Sequence, residues 1–211
     1  KETAKIIERA VYYSKISDGK FDITVYPISS LWDFKNQIIP DRNEIAEALQ
    51  NVDYESIEIN GNSINLNGKK IDLGGIAKGY LGDELLKIAD EYGATALLSL
   101  GGNRVLCGNK SENEKWTVGI KNPKDTESIA CSFKCDGNKS VVTSGAYERY
   151  FEYSGKTYHH IIDPVTGMPS TYWRSVTVVC VDSGLADALS TALFVLPLEE
   201  GKALAKQCGA K

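Results

Sequence analysis

Hydrophobic and polar residues follow two periods along this chain, and each period predicts its own type of element. Helical spacing predicts helices over Lys1–Lys15, near Asn43–Gln50 and from Leu81 to Gly93, the last ended by a glycine C-cap. Short alternating runs predict strands over Tyr54–Asp72 and repeatedly between Ala96 and Ile162. Because runs of consecutive strands lie between separated helices, the order predicts an α+β fold rather than a doubly wound sheet.

The segment Ile71–Tyr80 combines a short apolar run, a Gly-Gly turn and the start of a helix. A strand that turns through glycines into a helix leaves backbone N–H groups free, and these groups suit a phosphate. Lys78 falls in the first helical turn, where the helix dipole disfavours a cation unless an anion lies beside it. A tight turn with a solvated lysine fits equally well. The segment is neither a P-loop nor the Gly-x-Gly-x-x-Gly dinucleotide motif.

A second informative stretch, Ser183–Leu196, follows a predicted buried strand at Val176–Val181, and Ser183 is its predicted N-cap. Asp187 and Thr191 lie one helical turn apart and share a face of an otherwise apolar helix. A buried, unpaired carboxylate is costly, and an Asp and a Thr oxygen together suit an oxygen-preferring ion such as Mg²⁺. The alternative is a buried aspartate that caps a neighbouring loop, which is the commoner case for a lone Asp in a helix.

The third stretch, Tyr158–Pro169, contains the end of a strand predicted over Lys156–Ile162 and a tight turn that begins at Asp163. It holds both histidines of the chain, His159 and His160, so any histidine chemistry must come from here. A histidine at a strand end is more often structural than catalytic, and the residues alone assign neither of them a role.

Composition narrows the class of protein. The 211 residues are 42% hydrophobic with a net charge of −4, enough for a sizeable core. The sequence contains no basic block of the kind that indicates a nucleic-acid partner. It also contains no run that approaches the roughly 18 apolar residues of a membrane span. Cys131 and Cys135 have a metal-like spacing, but no second Cys or Cys-His pair completes a zinc site.

The three stretches, in this order, resemble the FAD:protein FMN transferase family, the ApbE-like flavin-trafficking proteins. Further matches are Ser17–Pro27, Leu98–Asn103 and Thr143–Arg149, so the resemblance extends over most of the chain. It implies one domain over residues 1–211, with mixed, mostly antiparallel sheets and flanking helices. Members split FAD at its pyrophosphate, release AMP and attach FMN to a Ser or Thr hydroxyl of a target protein, and they require Mg²⁺. FAD and a flavin-accepting protein are therefore the expected partners.

The resemblance also implies roles for individual residues. Asp187 and Thr191 match side-chain metal ligands, and the carbonyl of Gly75 matches a backbone ligand. Ser190 stands where some members have a second acidic ligand. The expected nucleotide-contacting residues are Trp32, Asp72, Lys78 and Ile161, and His160 matches the histidine of a family motif. His160 or Asp163 could serve as the catalytic base, and a metal that lowers the pKa of the acceptor hydroxyl would make a dedicated base unnecessary.

One departure from the family concerns the N-terminus. Members usually carry several dozen further residues before the position of Lys1, including core strands and flavin contacts, so the chain is expected to be a trimmed form. The expectations that follow are weak FAD binding, an uncovered sheet edge that invites self-association, and membrane anchoring outside the cytoplasm in the full-length form. Alternatives are an FAD pyrophosphatase, a non-catalytic flavin-binding protein and an inactive fragment.

Overall fold

The structure, a computed structural model, describes residues 2–111 and 114–211. Its helices are α1 (Glu2–Ile16), α2 (Tyr26–Ser29), α3 (Arg42–Leu49), α4 (Ala77–Glu91), α5 (Ser183–Phe194) and α6 (Leu198–Gln207). Its strands are β1 (Glu58–Asn60), β2 (Ser63–Asn65), β3 (Ala96–Leu100), β4 (Asn103–Cys107), β5 (Trp116–Asn122), β6 (Asp125–Cys135), β7 (Lys139–Gly145), β8 (Tyr150–Tyr153), β9 (Lys156–His159) and β10 (Ser175–Cys180). The predicted α+β class is confirmed.

The central sheet has the strand order β10-β7-β4-β3, and β1-β2, β5-β6 and β8-β9 form separate hairpins. Every pairing between these strands is antiparallel, so the sheets are more uniform than the mixed sheets that the resemblance implies. At one edge, Lys211 exchanges two backbone hydrogen bonds with Val179 of β10. At the other edge, β3 has no further strand beside it in the described part of the chain. Self-association through that edge remains a prediction.

Helix α5 lies against β7 and β10 and is covered by α1, α4 and α6, so nearly all of its faces are buried. Its small and apolar side chains, including Ala186, Leu189 and Ala192, pack with Val142 and Val178 of the sheet in the main core. This burial explains why the sequence of α5 is apolar on almost every side. It also places any polar side chain of α5 in a desolvated environment.

Two contacts fix α4 against the start of α5. The carboxylate of Asp83 accepts hydrogen bonds from the backbone N–H groups of Ser183 (2.6 Å) and Gly184 (3.0 Å). A Cβ at Gly82 would lie 2.5 Å from the Ser183 hydroxyl, so the two helices approach as closely as glycine allows. Arg9 of α1 joins the same cluster through Asp83 and Asp182. The register between α4 and α5 is therefore set by specific polar and steric contacts.

Several predicted boundaries shift. Asp182, rather than Ser183, is the N-cap of α5, because its carboxylate accepts from the Leu185 N–H at 2.7 Å. The predicted strand at Lys156–Ile162 ends at His159. The glycine C-cap of α4 is confirmed: Gly93 has φ +59°, and the Ala94 N–H bonds to the Ala89 carbonyl at 2.7 Å, as in a Schellman motif.

The cysteines and the hydropathy pattern add two findings. All five cysteines are free thiols, and Cys131 is exposed while Cys135 is buried. Within residues 2–111 and 114–211, no helix combines the length and the apolar character that crossing a membrane requires.

Candidate active site

A cavity of about 710 Å³, a size typical of ligand sites, brings most of the sequence-predicted site residues together. Its walls come from the segment around α2, the turn before α4, the start of β4, the end of β7 and the turn after it, the loop after β9, and α5. The predicted site residues on these walls are Trp32, Asp72, Gly75, Lys78, His160, Ile161, Asp187 and Thr191. Asp163 is the predicted site residue that does not line this cavity.

Asp187 is the most desolvated charged side chain in the cavity wall, with a relative exposure of 4%. Its Oδ2 accepts the Gly79 N–H at 2.8 Å, and its Oδ1 lies 3.7 Å from the Lys78 ammonium. Burial raises the pKa of this carboxyl, and the charge of Lys78 together with the Gly79 hydrogen bond opposes the rise. One short hydrogen bond and one distant cation leave this carboxylate under-compensated, which suits a cation ligand.

Thr191 and Gly75 complete the oxygen set that the resemblance implies. Both line the cavity with Asp187, and a Cβ at Gly75 would lie 3.4 Å from Thr191 Oγ1, so the glycine backbone packs against that hydroxyl. No group of three or more His, Cys, Asp or Glu side chains within the described residues could hold a metal ion. The oxygens that the resemblance assigns to a metal are one carboxylate, one hydroxyl and one carbonyl, and such a set would fit a hard cation such as Mg²⁺.

Ser190 does not replace the missing acidic ligand. It is fully buried, its Oγ lies 2.7 Å from the Ser144 Oγ, and it donates to the Asp187 carbonyl at 2.9 Å. The hydroxyl is thus engaged in packing α5 against β7. The structure offers one carboxylate at this position of the cavity, from Asp187.

The turn before α4 presents Lys78 and a helix start to the cavity. Asp72 Oδ1 accepts the Gly74 N–H at 2.7 Å, so this carboxylate stabilises the turn and that N–H group is not free for a ligand. The N-cap residue Ile76 provides no side-chain cap for α4. The Lys78 ammonium donates to the Gly74 carbonyl at 3.3 Å and remains partly exposed. An anion at this helix start would meet both a cation and the positive end of the dipole.

The two histidines differ in what their rings contact. His159 Nε2 lies 2.8 Å from the Ser170 carbonyl, which only accepts, so Nε2 carries the proton and Nδ1 accepts the Ile161 N–H at 3.3 Å. Both ring nitrogens of His159 are therefore occupied, and its role is structural. His160 lines the cavity, and its buried Nδ1 has no hydrogen bond partner of ordinary geometry among residues 2–111 and 114–211. Because Nδ1 is the buried ring nitrogen, Nε2 is the one that a ligand in the cavity could reach.

The environment of His160 keeps its ring neutral. Burial, followed by the nearby charge of Arg149, lowers its pKa from 6.5 to about 4. The backbone N–H of His160 also donates to the Arg149 carbonyl at 3.1 Å, which ties the loop after β9 to the start of β8. A neutral imidazole on a cavity wall can accept a proton at neutral pH.

Asp163, the other candidate base, uses its carboxylate to stabilise the turn in which it lies. Its carboxylate accepts the Val165 N–H at 2.9 Å and the Thr166 hydroxyl at 3.2 Å.

Trp32 supports the same loop, because its indole Nε1 donates to the Gly167 carbonyl at 3.2 Å and its ring stacks on Tyr158. Trp32 is 5% exposed and therefore offers little of its ring to a ligand.

Asn103 and Arg149 are among the polar residues of the cavity wall to which the sequence analysis assigned no role. Asn103 lies 1% exposed at the first position of β4, and its Nδ2 makes no hydrogen bond with any other residue that the structure describes. Arg149 also lines the cavity, and its charge acts on the nearby His160. Asn103 is the last residue of the motif Leu98–Asn103, and Arg149 is the last residue of the motif Thr143–Arg149. In each motif a polar residue follows a strand and a glycine-containing turn, and this position is the signal that could have identified both residues.

The fold and the cavity define a class of protein: an α+β domain whose cavity lies between a helix start and a buried carboxylate. The ApbE family model matches residues 1–211, so the chain belongs to the ApbE family. Relatives named FAD:protein FMN transferase include one from Treponema pallidum, 36% identical over 96% of this chain, and one from Klebsiella pneumoniae, 35% identical over 96%.

Solved structures support the same assignment. The ApbE protein of Thermotoga maritima is 36% identical with a TM-score of 0.90, covering 100% of this chain and 71% of that one. The Pseudomonas stutzeri flavinyl transferase ApbE is 30% identical with a TM-score of 0.82, covering 98% and 66%. The chain spans 62% of the Treponema protein and 65% of the Klebsiella protein.

Proposed function

We propose that residues 1–211 act as one domain of an FAD:protein FMN transferase and contain its phosphoryl-transfer site. The observation that carries the proposal is the convergence of Lys78, His160, Asp187 and Thr191 on one cavity from three separate parts of the chain. The names of the relatives support flavin transfer. The cavity residues support a pyrophosphate as the group that is held.

The FAD pyrophosphate would lie between the start of α4 and the Asp187 side of the cavity. Lys78 supplies a positive charge there, and the positive end of the α4 dipole likewise favours an anion. Ile161 offers an apolar wall, and Asp72 holds the turn in shape through Gly74. Phosphoryl transfer depends mainly on positioning and charge neutralisation, which are the two functions that these residues can perform.

Asp187, Thr191 and the Gly75 carbonyl would hold Mg²⁺, and the ion, when bound, supplies positive charge for the pyrophosphate oxygens. The under-compensated carboxylate of Asp187 is the observation that favours this ion. Lys78 lies 3.7 Å from that carboxylate, so it can turn from Asp187 to a phosphate without leaving the site.

The proposed transfer forms one bond and breaks one. The oxygen of a Ser or Thr hydroxyl on the acceptor protein bonds to the FMN phosphorus, and the bond from that phosphorus to the bridging oxygen breaks. AMP leaves with the bridging oxygen. The hydroxyl proton passes to Nε2 of His160, whose lowered pKa keeps it unprotonated beforehand.

The test is incubation of the chain with FAD, Mg²⁺ and a flavin-accepting protein, with AMP, free FMN and labelled acceptor each quantified. Labelled acceptor and AMP in equal amounts are expected. Equal AMP and free FMN without label would indicate a pyrophosphatase, and bound but intact FAD would indicate a flavin-binding protein. A matched pair, His160→Gln and Asp163→Asn, separates the candidate bases: the first should lower the rate at least 100-fold, and the second should leave it within a few-fold of the parent.

A further inference from the structure

Asn103 is a buried amide whose donor group has no partner. The side chain is 1% exposed, and Nδ2 makes no hydrogen bond with another described residue. Native structures satisfy nearly all buried polar groups, so an unsatisfied one calls for a specific explanation. Asn103 lines the same cavity as Asp187, which ties that explanation to the site.

The backbone around Asn103 prevents the side chain from moving away. Asn103 begins β4, a central strand, and pairs with Leu100 of β3 and Val142 of β7. The preceding Gly101 has φ +67°, and a Cβ at Gly102 would lie 2.7 Å from the Thr143 carbonyl. Both glycines are therefore required by the geometry of this turn. The amide is held at a fixed place by strands on either side.

The amide is held beside the carboxylate of Asp187. Its proximity is one of the influences that lower the pKa of that carboxyl, although the two groups do not form a hydrogen bond of ordinary length and angle. Gly79 and Lys78 approach the same carboxylate from α4. Asn103 approaches it from the sheet, so the carboxylate lies between two rigid elements.

We propose that Asn103 is a positioning residue: its amide donates to Asp187 when a cation occupies the site, and this hydrogen bond fixes the plane of the carboxylate. An amide is an uncharged donor, so it orients the carboxylate and leaves its negative charge available to a cation. A lysine or arginine in the same place would neutralise that charge. Groups that orient metal-binding carboxylates typically change metal affinity 10- to 100-fold when they are removed. The inference deepens the proposed function and rests on it for the identity of the reaction.

The experiment compares Asn103→Ala with Asn103→Ser, which differ by a single hydroxyl donor. Mn²⁺, a paramagnetic hard cation, is titrated with each protein in the presence of inorganic pyrophosphate, and free Mn²⁺ is followed by its electron paramagnetic resonance signal. The control is Ser140→Ala, because Ser140 Oγ is equally buried and unpartnered on β7 but lies outside the cavity. Thermal unfolding of every variant is measured alongside.

Asn103→Ala should weaken Mn²⁺ binding at least tenfold, Asn103→Ser should recover part of that loss, and Ser140→Ala should bind as the parent does. Parent-like binding by Asn103→Ala, or equal losses for the Ala and Ser variants, would overturn the positioning role. AMP release from FAD is recorded separately for the parent. A parent that binds Mn²⁺ and pyrophosphate without releasing AMP contradicts the proposed function and leaves the test of Asn103 intact.

Discussion

Gly79 on α4 donates its backbone N–H to Asp187 Oδ2 on α5 at 2.8 Å, and a Cβ at Gly79 would lie 2.7 Å from the Asp187 Cβ. The same Cβ would lie 2.3 Å from the Ser183 carbonyl. The absence of a side chain at Gly79 is thus a condition both for the contact of the two helices and for the hydrogen bond that holds Asp187.

Gly79→Ala should therefore separate α4 from α5 and destabilise the fold by about 1–3 kcal/mol or more, as overpacking does. Mg²⁺ should no longer raise the melting temperature, because the Gly79 hydrogen bond to Asp187 is lost with the packing. The control is Gly201→Ala in α6, where the added Cβ meets only Leu193 at an ordinary 3.5 Å. That change should be neutral or slightly stabilising. Equal urea midpoints for Gly79→Ala and the parent would show that the helices can separate without cost.

Lys78→Ala should weaken ADP binding roughly 10- to 100-fold and should leave riboflavin binding unchanged. The expected loss for ADP corresponds to one charge-assisted contact, which contributes about 1.5–3 kcal/mol. The physical reason is that the proposed partner of Lys78 is a phosphate, which riboflavin lacks. Lys87→Ala is the control on the same helix, because Lys87 pairs with Glu84 on its exposed face. Calorimetric titrations with both ligands provide the measurement. Equal losses for ADP and riboflavin would mean that Lys78 supports the turn through Gly74 instead.

The sequence predicted those parts of the site that depend only on the spacing of residues within one helix or turn. Asp187 and Thr191 lie one turn apart on any helix, and Lys78 follows a glycine turn whatever the rest of the fold does. The place of Asn103 beside Asp187 could not be predicted in this way, because it depends on how β4 and α5 pack. The distinction between His159 and His160 likewise depends on a distant group, the Ser170 carbonyl.

His160 should make the protein sensitive to acid. Its pKa is about 4 in the folded state and near 6.5 in the unfolded state, so between these values the unfolded chain binds more protons. Stability should accordingly fall by up to about 3 kcal/mol as the pH falls from 6.5 towards 4. Urea unfolding at pH 7.5 and 4.5 should show a smaller fall for His160→Gln than for the parent. An equal fall in both proteins would place the acid sensitivity elsewhere.

Asp187 should behave in the opposite sense, because burial raises its pKa above the ordinary value of 3.8. Between the unfolded-state pKa and the raised folded-state pKa, the folded state binds more protons than the unfolded state, so stability falls as the pH rises. The whole loss of stability from ionising Asp187 is therefore present at neutral pH. Asp187→Asn removes the charge and keeps an oxygen that can accept the Gly79 N–H. In a chelator, its melting temperature should exceed that of the parent by about 2–4 °C for each kcal/mol recovered.

Addition of Mg²⁺ should reverse this order. A ligand that binds only the folded state stabilises it in proportion to the logarithm of its concentration above Kd, so the parent should gain stability while Asp187→Asn should not. Thr166→Val serves as the control for loss of a polar side chain, since Thr166 bonds to Asp163 in a turn away from Asp187. Melting curves in chelator and across a Mg²⁺ series give both comparisons. A Mg²⁺-dependent rise in the Asp187→Asn variant as large as in the parent would show that the ion binds at another site.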